Sequence, residues 1–284
     1  MTGTLSFDQV VFSGGGTRCF WQGGFMNVVR DALGLDPARI TGVSGGALSA
    51  ACFIADRGRD LLRIMARAFA RQDRNFEWHA VADDGAGLTP HQRIYREVVA
   101  ETLNEAAARV VAEGVSFQVL IGHPPKGGKL LATAATLAYE AELHLVSSPH
   151  FNWAEKVGVT SSLVDARDAA RAGRLVDLVC AAATIPPLFD LAEWDGQAVI
   201  DGGMVDQAPM PEPDRGRTLV LLTRGYRNIP DHPDRVYLAP SDEIPADKID
   251  FTDPEKIRAT WDRGEVDGAA FLEQHGLKRK EWEE

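Results

Sequence analysis

The chain has 284 residues, of which 45% are hydrophobic and 25% charged, a composition typical of a soluble globular protein with one large domain. These proportions exclude a collagen, a coiled coil and a wholly disordered chain. The formal net charge of −11 argues against general nucleic-acid binding, because neutralising phosphates requires a basic surface.

The first part of the chain alternates between predicted strands and predicted helices. An apolar run at 9–12 predicts a strand, and the following 13–16 (Ser-Gly-Gly-Gly) a tight loop. A helix is predicted over 20–33 with Gly34 as its stop, then a strand over 40–43 and a buried helix over 47–55. This alternation predicts an α/β fold with a parallel sheet.

The remaining elements are predicted from the same periodicities. Helices are expected at 60–74, 91–112, 167–183 and 254–274, the last with Gly264 as a candidate break. Strands are expected at 115–121, 130–136, 140–146, 198–200, 218–222 and 235–238. A loop is expected at 79–88, a frayed tail at 278–284, and an internal boundary in the Pro- and Asp-rich stretch 209–217.

The first pattern that carries chemistry is the G-x-S-x-G of Gly42, Ser44 and Gly46, with Gly45 before the last glycine. It stands between a predicted strand and a predicted helix, the context in which such a turn exposes a nucleophilic serine. The following helix N-terminus favours negative charge nearby. A glycine-rich turn with an idle serine explains the pattern equally well when it is taken alone.

The second pattern is the glycine run of Gly14, Gly15 and Gly16, followed by Thr17 and Arg18. Consecutive glycines let backbone N–H groups point at one place and form an anion site. A dinucleotide fingerprint fails because Cys19 occupies its last glycine position, and a P-loop fails because no Gly-Lys follows. An oxyanion hole and a plain tight turn are the interpretations left.

The third pattern is Asp201-Gly202-Gly203 after the apolar run 198–200. An acid at a strand end can serve as a general base, although a turn-forming Asp-Gly is also ordinary. A Ser-His-Asp triad in the α/β-hydrolase order would need His232 or His275, since only these histidines follow Asp201. The 43 residues before Ser44 hold at most two strands, fewer than an α/β-hydrolase builds before its nucleophile. A Ser-Asp dyad therefore fits better.

Taken in order over about residues 8–212, these three patterns resemble the patatin-like phospholipase family, as does the stretch 181–189 that precedes Asp201. The resemblance implies a three-layer α/β/α fold with a mainly parallel central sheet. It implies hydrolysis of lipid acyl esters, with Ser44 as nucleophile and Asp201 as base. Gly14, Gly15, Gly16 and Arg18 would then form or flank the oxyanion hole. Cys19 departs from the family, which usually has glycine after that arginine.

The expected mechanism is attack by Ser44 on the ester carbonyl, with Asp201 taking the hydroxyl proton and an acyl-enzyme forming. An ordinary aspartate is a weak base at neutral pH, so we expect burial beside Val199, Ile200 and Met204 to raise its pKa. Residues 213–284 are expected to complete or cover this core. Two alternatives stay open: an esterase, thioesterase or acyltransferase on soluble substrates, and a catalytically silent lipid-binding scaffold.

The expected partners are a lipid or other acyl-ester substrate and no nucleic acid. Arginines at 59, 63, 67, 71 and 74 form one helix face that could contact anionic lipids, although a solvated outer face is the simpler interpretation. The three cysteines lack paired spacing, the histidines lack ligand spacing, and no cofactor or metal is predicted. With no leader and no spanning segment recognised, we expect a cytoplasmic protein whose membrane contact is peripheral.

Overall fold

A computed structural model describes residues 5–71, 90–125, 148–150, 158–186, 189–247 and 251–278. Its strands are β1 (Gln9–Phe12), β2 (Arg39–Val43), β3 (Ser116–His123), β4 (Thr160–Asp165), β5 (Ala192–Trp194), β6 (Gln197–Asp201), β7 (Thr218–Leu221) and β8 (Arg235–Leu238). Its helices are α1 (Phe20–Leu33), α2 (Gly45–Ala55), α3 (Gly58–Ala70), α4 (Pro90–Thr102), α5 (Glu105–Glu113), α6 (Ala166–Arg171), α7 (Leu175–Ala181) and α8 (Pro254–Gln274). Short 3-10 turns cover Gly16–Cys19 and Gly202–Met204.

The strands form one sheet in the order β5-β6-β3-β2-β1-β7-β8, with β4 also paired to β3. The pairs β1–β2, β2–β3, β1–β7 and β7–β8 are parallel, whereas β4 and β6 run antiparallel to β3, and β5 antiparallel to β6. The predicted α/β class, with a mainly parallel central sheet and flanking helices, is confirmed.

The alternation of side chains along β1 divides the apolar interior between the two faces of the sheet. Val10 and Phe12 belong to the main core, which also contains the buried faces of the helices. Val11 points the other way and joins a smaller cluster with Val220 and Ala208. β1 is thus buried on both faces, as expected for a strand inside a parallel sheet.

Two helices predicted as continuous are each split into two. The helix predicted over 91–112 breaks at Leu103–Asn104, where the Asn104 side chain accepts a hydrogen bond from the Ala107 N–H and caps α5. The helix predicted over 167–183 breaks around Gly173, whose φ of 70° is left-handed. In contrast, α8 runs unbroken through Gly264.

The structure also contains strands that the sequence patterns missed. β4 and β5 pair with neighbours in the sheet, but β4 has no strict alternation in its sequence and β5 is only three residues long. The predictions over 79–88, 130–136, 140–146 and the tail beyond 278 lie outside the described residues.

The residues after 213 are part of the same sheet and helical layer. β7 lies directly against β1 at the centre of the sheet, and α8 packs along α1. Within the described part of the chain, no helix is both long and apolar enough to cross a bilayer.

Candidate active site

Ser44 stands at the sharp turn between β2 and α2. It has φ 54° and ψ −136°, a conformation that residues other than glycine seldom adopt. Gly46 makes the turn possible, because a Cβ at that residue would lie 2.3 Å from the carbonyl oxygens of Phe12 and Ser13. The start of α2 can therefore approach the loop after β1. Ser44 itself is only 3% exposed.

Asp201 reaches Ser44 because β2 and β6 meet end to end beside β3. β2 runs parallel to β3 and ends with Val43 opposite Leu120. β6 runs the opposite way and ends with Asp201 opposite Ile121, on the side of β3 that β4 leaves free. The carboxyl ends of two strands from distant parts of the chain thus converge at adjacent positions.

The two side chains are in direct contact. The Ser44 hydroxyl donates a hydrogen bond of 2.5 Å to Oδ2 of Asp201, and the Gly203 N–H donates one of 2.7 Å to Oδ1. Asp201 is 2% exposed, and its own N–H donates to the Thr184 carbonyl. One carboxylate oxygen is thereby fixed by the backbone while the other faces the serine.

No histidine of the described ranges hydrogen-bonds to Ser44. His123 contacts Ser162, His150 lies between Asp206 and Tyr237, and the ring of His275 contacts the Phe271 carbonyl. His232 accepts a bond from the Asp234 N–H in an exposed turn. The two histidines that a triad would have required are thus engaged elsewhere.

The glycine loop lies beside the serine. A Cβ on Gly14 would be 3.3 Å from that of Ser44. The loop is held from two sides, since the Gly14 N–H donates to the Gln207 carbonyl at 2.9 Å and the Thr223 hydroxyl donates to the Gly14 carbonyl at 2.7 Å. The N–H groups of Gly15 and Gly16 have no acceptor among the described residues.

Gly14 and Arg18 were predicted to belong to the oxyanion hole with Gly15 and Gly16, but each already donates a hydrogen bond to an acceptor within the protein. The N–H of Gly14 is already occupied by Gln207, and the Arg18 side chain donates to the Ala246 carbonyl at 3.3 Å. Thr17 also contacts this C-terminal segment, through a hydrogen bond to the Asp247 carbonyl. Gln207 and Thr223 therefore hold the loop, and the sequence contained no local signal for either of them.

A mostly apolar cavity opens beside Ser44. Its lining comes from the glycine loop and the 3-10 turn after it, the start of α1, the serine turn, α2, α3, α4 and two later segments: Gly16, Thr17, Cys19, Phe20, Ser44, Gly45, Leu48, Ser49, Leu61, Met65, Tyr95, Ala183, Ile185, Phe189 and Phe251. Phe251, from the segment before α8, packs edge-on against Phe69. The cavity can hold a hydrocarbon group next to the serine.

Burial favours the neutral form of three titratable side chains at or near this cavity. It raises the pKa of the Tyr95 hydroxyl well above its ordinary value, and that of the nearby Cys180 thiol to about 12. It lowers the pKa of His91, whose ring lies against Phe251. An uncharged lining suits an apolar ligand.

Three of the five arginines predicted as one helix face, Arg59, Arg63 and Arg67, lie on α3 and pair with acids of the same chain, whereas Arg71 follows the helix and is exposed. Arg63 contacts Asp60 at 2.7 Å. Arg59 lies 3.6 Å from Glu265 on α8, and Arg67 contacts Glu101 on α4. Arg74 lies outside the described residues. These contacts tie α3 to its neighbours.

The α/β fold, the serine on a strand-to-helix turn and the contacting aspartate together define an α/β protein with a serine–carboxylate site. The family model described as "Patatin-like phospholipase" matches residues 10–214. The chain belongs to the patatin-like phospholipase family, and this membership supports a lipid acyl hydrolase in general.

No curated protein matches the chain. Among solved structures, the crystal structure of VipD from Legionella pneumophila is similar, with a TM-score of 0.48 and 9% sequence identity. The match covers 95% of this chain and 67% of that one.

Proposed function

We propose that the protein hydrolyses acyl esters of lipids through a catalytic dyad of Ser44 and Asp201. The observation that carries the proposal is the 2.5 Å hydrogen bond between the Ser44 hydroxyl and the Asp201 carboxylate. A nucleophilic serine needs a base within hydrogen-bond reach, and Asp201 is in that position.

The proposed acylation step begins when Asp201 accepts the hydroxyl proton and Ser44 Oγ bonds to the ester carbonyl carbon. The N–H groups of Gly15 and Gly16 stabilise the negative oxygen, and losing one such donor typically raises the barrier by about 3 kcal/mol. The tetrahedral intermediate then collapses, the bond to the alcohol breaks, and Asp201 returns the proton to the departing alcohol oxygen.

In the proposed deacylation step, water attacks the acyl-Ser44 carbonyl while Asp201 accepts one of its protons. The fatty acid leaves, and the proton returns to Ser44 Oγ, so the enzyme is restored without a cofactor. The apolar cavity beside Ser44 would hold the acyl chain during both steps. The raised Asp201 pKa expected from the sequence stays a prediction that the pH dependence of acylation tests.

A fluorophosphonate probe tests the nucleophile directly. We expect mass spectrometry to find the phosphonyl group on Ser44 in the wild type and no labelling in Ser44→Ala. Ser49→Ala is the matched control, because Ser49 lines the same cavity but bonds the Cys19 carbonyl instead of an acid. Labelling on another residue, or none at all, would contradict the proposal.

Release of free fatty acid from a short-chain phosphatidylcholine then tests the substrate class. We expect release by the wild type and none by Ser44→Ala. If a soluble thioester is hydrolysed while phosphatidylcholine and glycerides are not, the substrate class is wrong and the dyad acts on soluble esters.

A further inference from the structure

Two cavities of the protein share one wall. The front cavity is the one beside Ser44, and the rear cavity lies among α1, α2, α3 and α8. Four residues line both cavities and are called here the shared wall: Cys19, Phe20, Ser49 and Leu61. They come from the start of α1, the middle of α2 and the first turn of α3.

The shared wall is a packed part of the interior. Each of its four residues is buried. The Ser49 hydroxyl donates to the Cys19 carbonyl at 3.4 Å, which joins α2 to the turn before α1. The Cys19 sulfur also lies close to Gly45, since a Cβ there would be 3.0 Å from it. These four residues are therefore packed together between the two cavities.

The two cavities differ strongly in size. The front cavity measures about 50 Å³, room for roughly four water molecules. The rear cavity measures about 570 Å³ by the same measure. Its lining includes the buried side chains of Phe12, Met26 and Trp261 and the more exposed side chains of Arg30 and Arg59.

We propose that the shared wall limits the length of the acyl chain that the enzyme accepts, by closing the front cavity off from the rear one. This inference rests on the proposed function. An acyl chain bonded to Ser44 extends along the front cavity until it reaches the wall. Methylene groups beyond that point find no space, and poor accommodation of a single methylene typically changes kcat/KM by tenfold or more.

Leu61 is the wall residue best suited to a test. Its side chain comes from an amphipathic helix that contributes neither to the serine turn nor to the glycine loop, so we expect that shortening it to alanine opens the wall. Leu62 is the matched control, because it is the same residue type on the same helix, is partly buried, and lines neither cavity.

The experiment measures kcat/KM for p-nitrophenyl esters with acyl chains from two to sixteen carbons. We expect the wild type and Leu62→Ala to favour short chains with the same profile. We expect Leu61→Ala to raise the ratio of kcat/KM for the twelve-carbon ester over the four-carbon ester at least tenfold. A ratio unchanged from that of the wild type would overturn the inference.

Cys19→Gly is the second variant, because it removes one small side chain from the wall. If Leu61→Ala does not fold, the same ratio of kcat/KM measured in Cys19→Gly tests the inference. Melting temperatures of all variants identify those that lose activity only because they are less stable. Such a loss lowers kcat/KM for every ester by the same factor. If the folded variants turn over the esters with the same dependence of kcat/KM on chain length as the wild type, the shared wall does not limit chain length, and the proposed function still holds. If no ester is turned over and the fluorophosphonate does not label Ser44, both proposals fail.

Discussion

At the scale of single residues, the backbone of Ser44 is the clearest sign that its position serves chemistry more than stability. Its positive φ is a conformation that costs a non-glycine residue on the order of 1–3 kcal/mol. The packing of β2 and α2 on either side maintains it, and the hydroxyl is thereby directed at Asp201.

Relieving this strain should stabilise the protein while abolishing the proposed activity. We expect Ser44→Gly to have a free energy of unfolding about 1 kcal/mol higher than Ser44→Ala, because only glycine adopts this φ without strain. Urea denaturation of the two inactive variants measures the difference. Equal stabilities would show that the turn is not strained.

The residues of this site differ in how far the sequence could predict them. Ser44 and Asp201 were predictable, because each follows a short apolar run and adjoins glycines at a strand end. Gln207 and Thr223 were not, since they hold Gly14 through contacts that span about two hundred residues of chain and leave no local pattern. The available N–H groups, Gly15 and Gly16, became distinguishable from Gly14 only through those contacts.

At the scale of elements, the contact between α1 and α8 depends on glycines in both helices. A Cβ on Gly24 would lie 2.0 Å from the Trp261 carbonyl oxygen, and one on Gly264 would lie 2.2 Å from the Trp21 carbonyl oxygen. Backbone oxygens cannot move aside as the end of a side chain can. Gly264, at which the sequence suggested a break in α8, instead lets α8 approach α1 closely.

Alanine at either position should therefore destabilise the protein, although alanine normally favours a helix by about 1 kcal/mol over glycine. We expect Gly264→Ala and Gly24→Ala each to lower the free energy of unfolding by roughly 2 kcal/mol, as overpacked substitutions do. Val266→Ala, on the exposed side of α8, is the control and should have little effect. Unchanged melting of both glycine variants would contradict the close contact.

Predictions at this scale succeeded where periodicity was strong and failed where a cap or a partner strand decided the structure. The helix before the serine, α1, follows its apolar spacing, and α2 is the buried helix that its continuous run of small apolar residues predicts. The break at Asn104 depends on one side-chain hydrogen bond within a helical pattern. β4 is a strand because β3 pairs with it along its length, although its own residues alternate poorly.

At the scale of the whole molecule, the residues beyond the match to the family contribute to the same site. β7 supports β1, and Thr223 just after it donates to the Gly14 carbonyl. Phe251 lines the front cavity, and the Ala246 carbonyl accepts a hydrogen bond from Arg18. The chain after residue 214 therefore buttresses the glycine loop.

Removing one of these supports should slow catalysis without preventing folding. We expect Thr223→Val to lower kcat roughly tenfold, because the valine keeps the shape but removes the 2.7 Å hydrogen bond to the buried Gly14 carbonyl and leaves it only the 3.4 Å bond from the Ser13 hydroxyl. Thr223→Ser, which retains the hydroxyl, should recover most of the rate. A full rate in Thr223→Val would show that this hydrogen bond does not position the loop.

The sequence predicted the class of the sheet but not its arrangement. Alternation of strands and helices indicates a parallel sheet, and that part is confirmed. The antiparallel entry of β6 beside β3, which brings Asp201 to Ser44, is set by tertiary pairing at Ile121 and has no counterpart in local periodicity.

The most direct test of the dyad compares kcat/KM for one short acyl ester in Asp201→Asn and in the variants His232→Ala and His275→Ala. A general base is worth about 10²–10⁴-fold in rate, so the asparagine variant should fall by about a thousandfold, and the two histidine variants should stay within threefold of the wild type. Near-normal activity in Asp201→Asn, or a comparable loss in either histidine variant, would contradict a serine activated by a carboxylate alone.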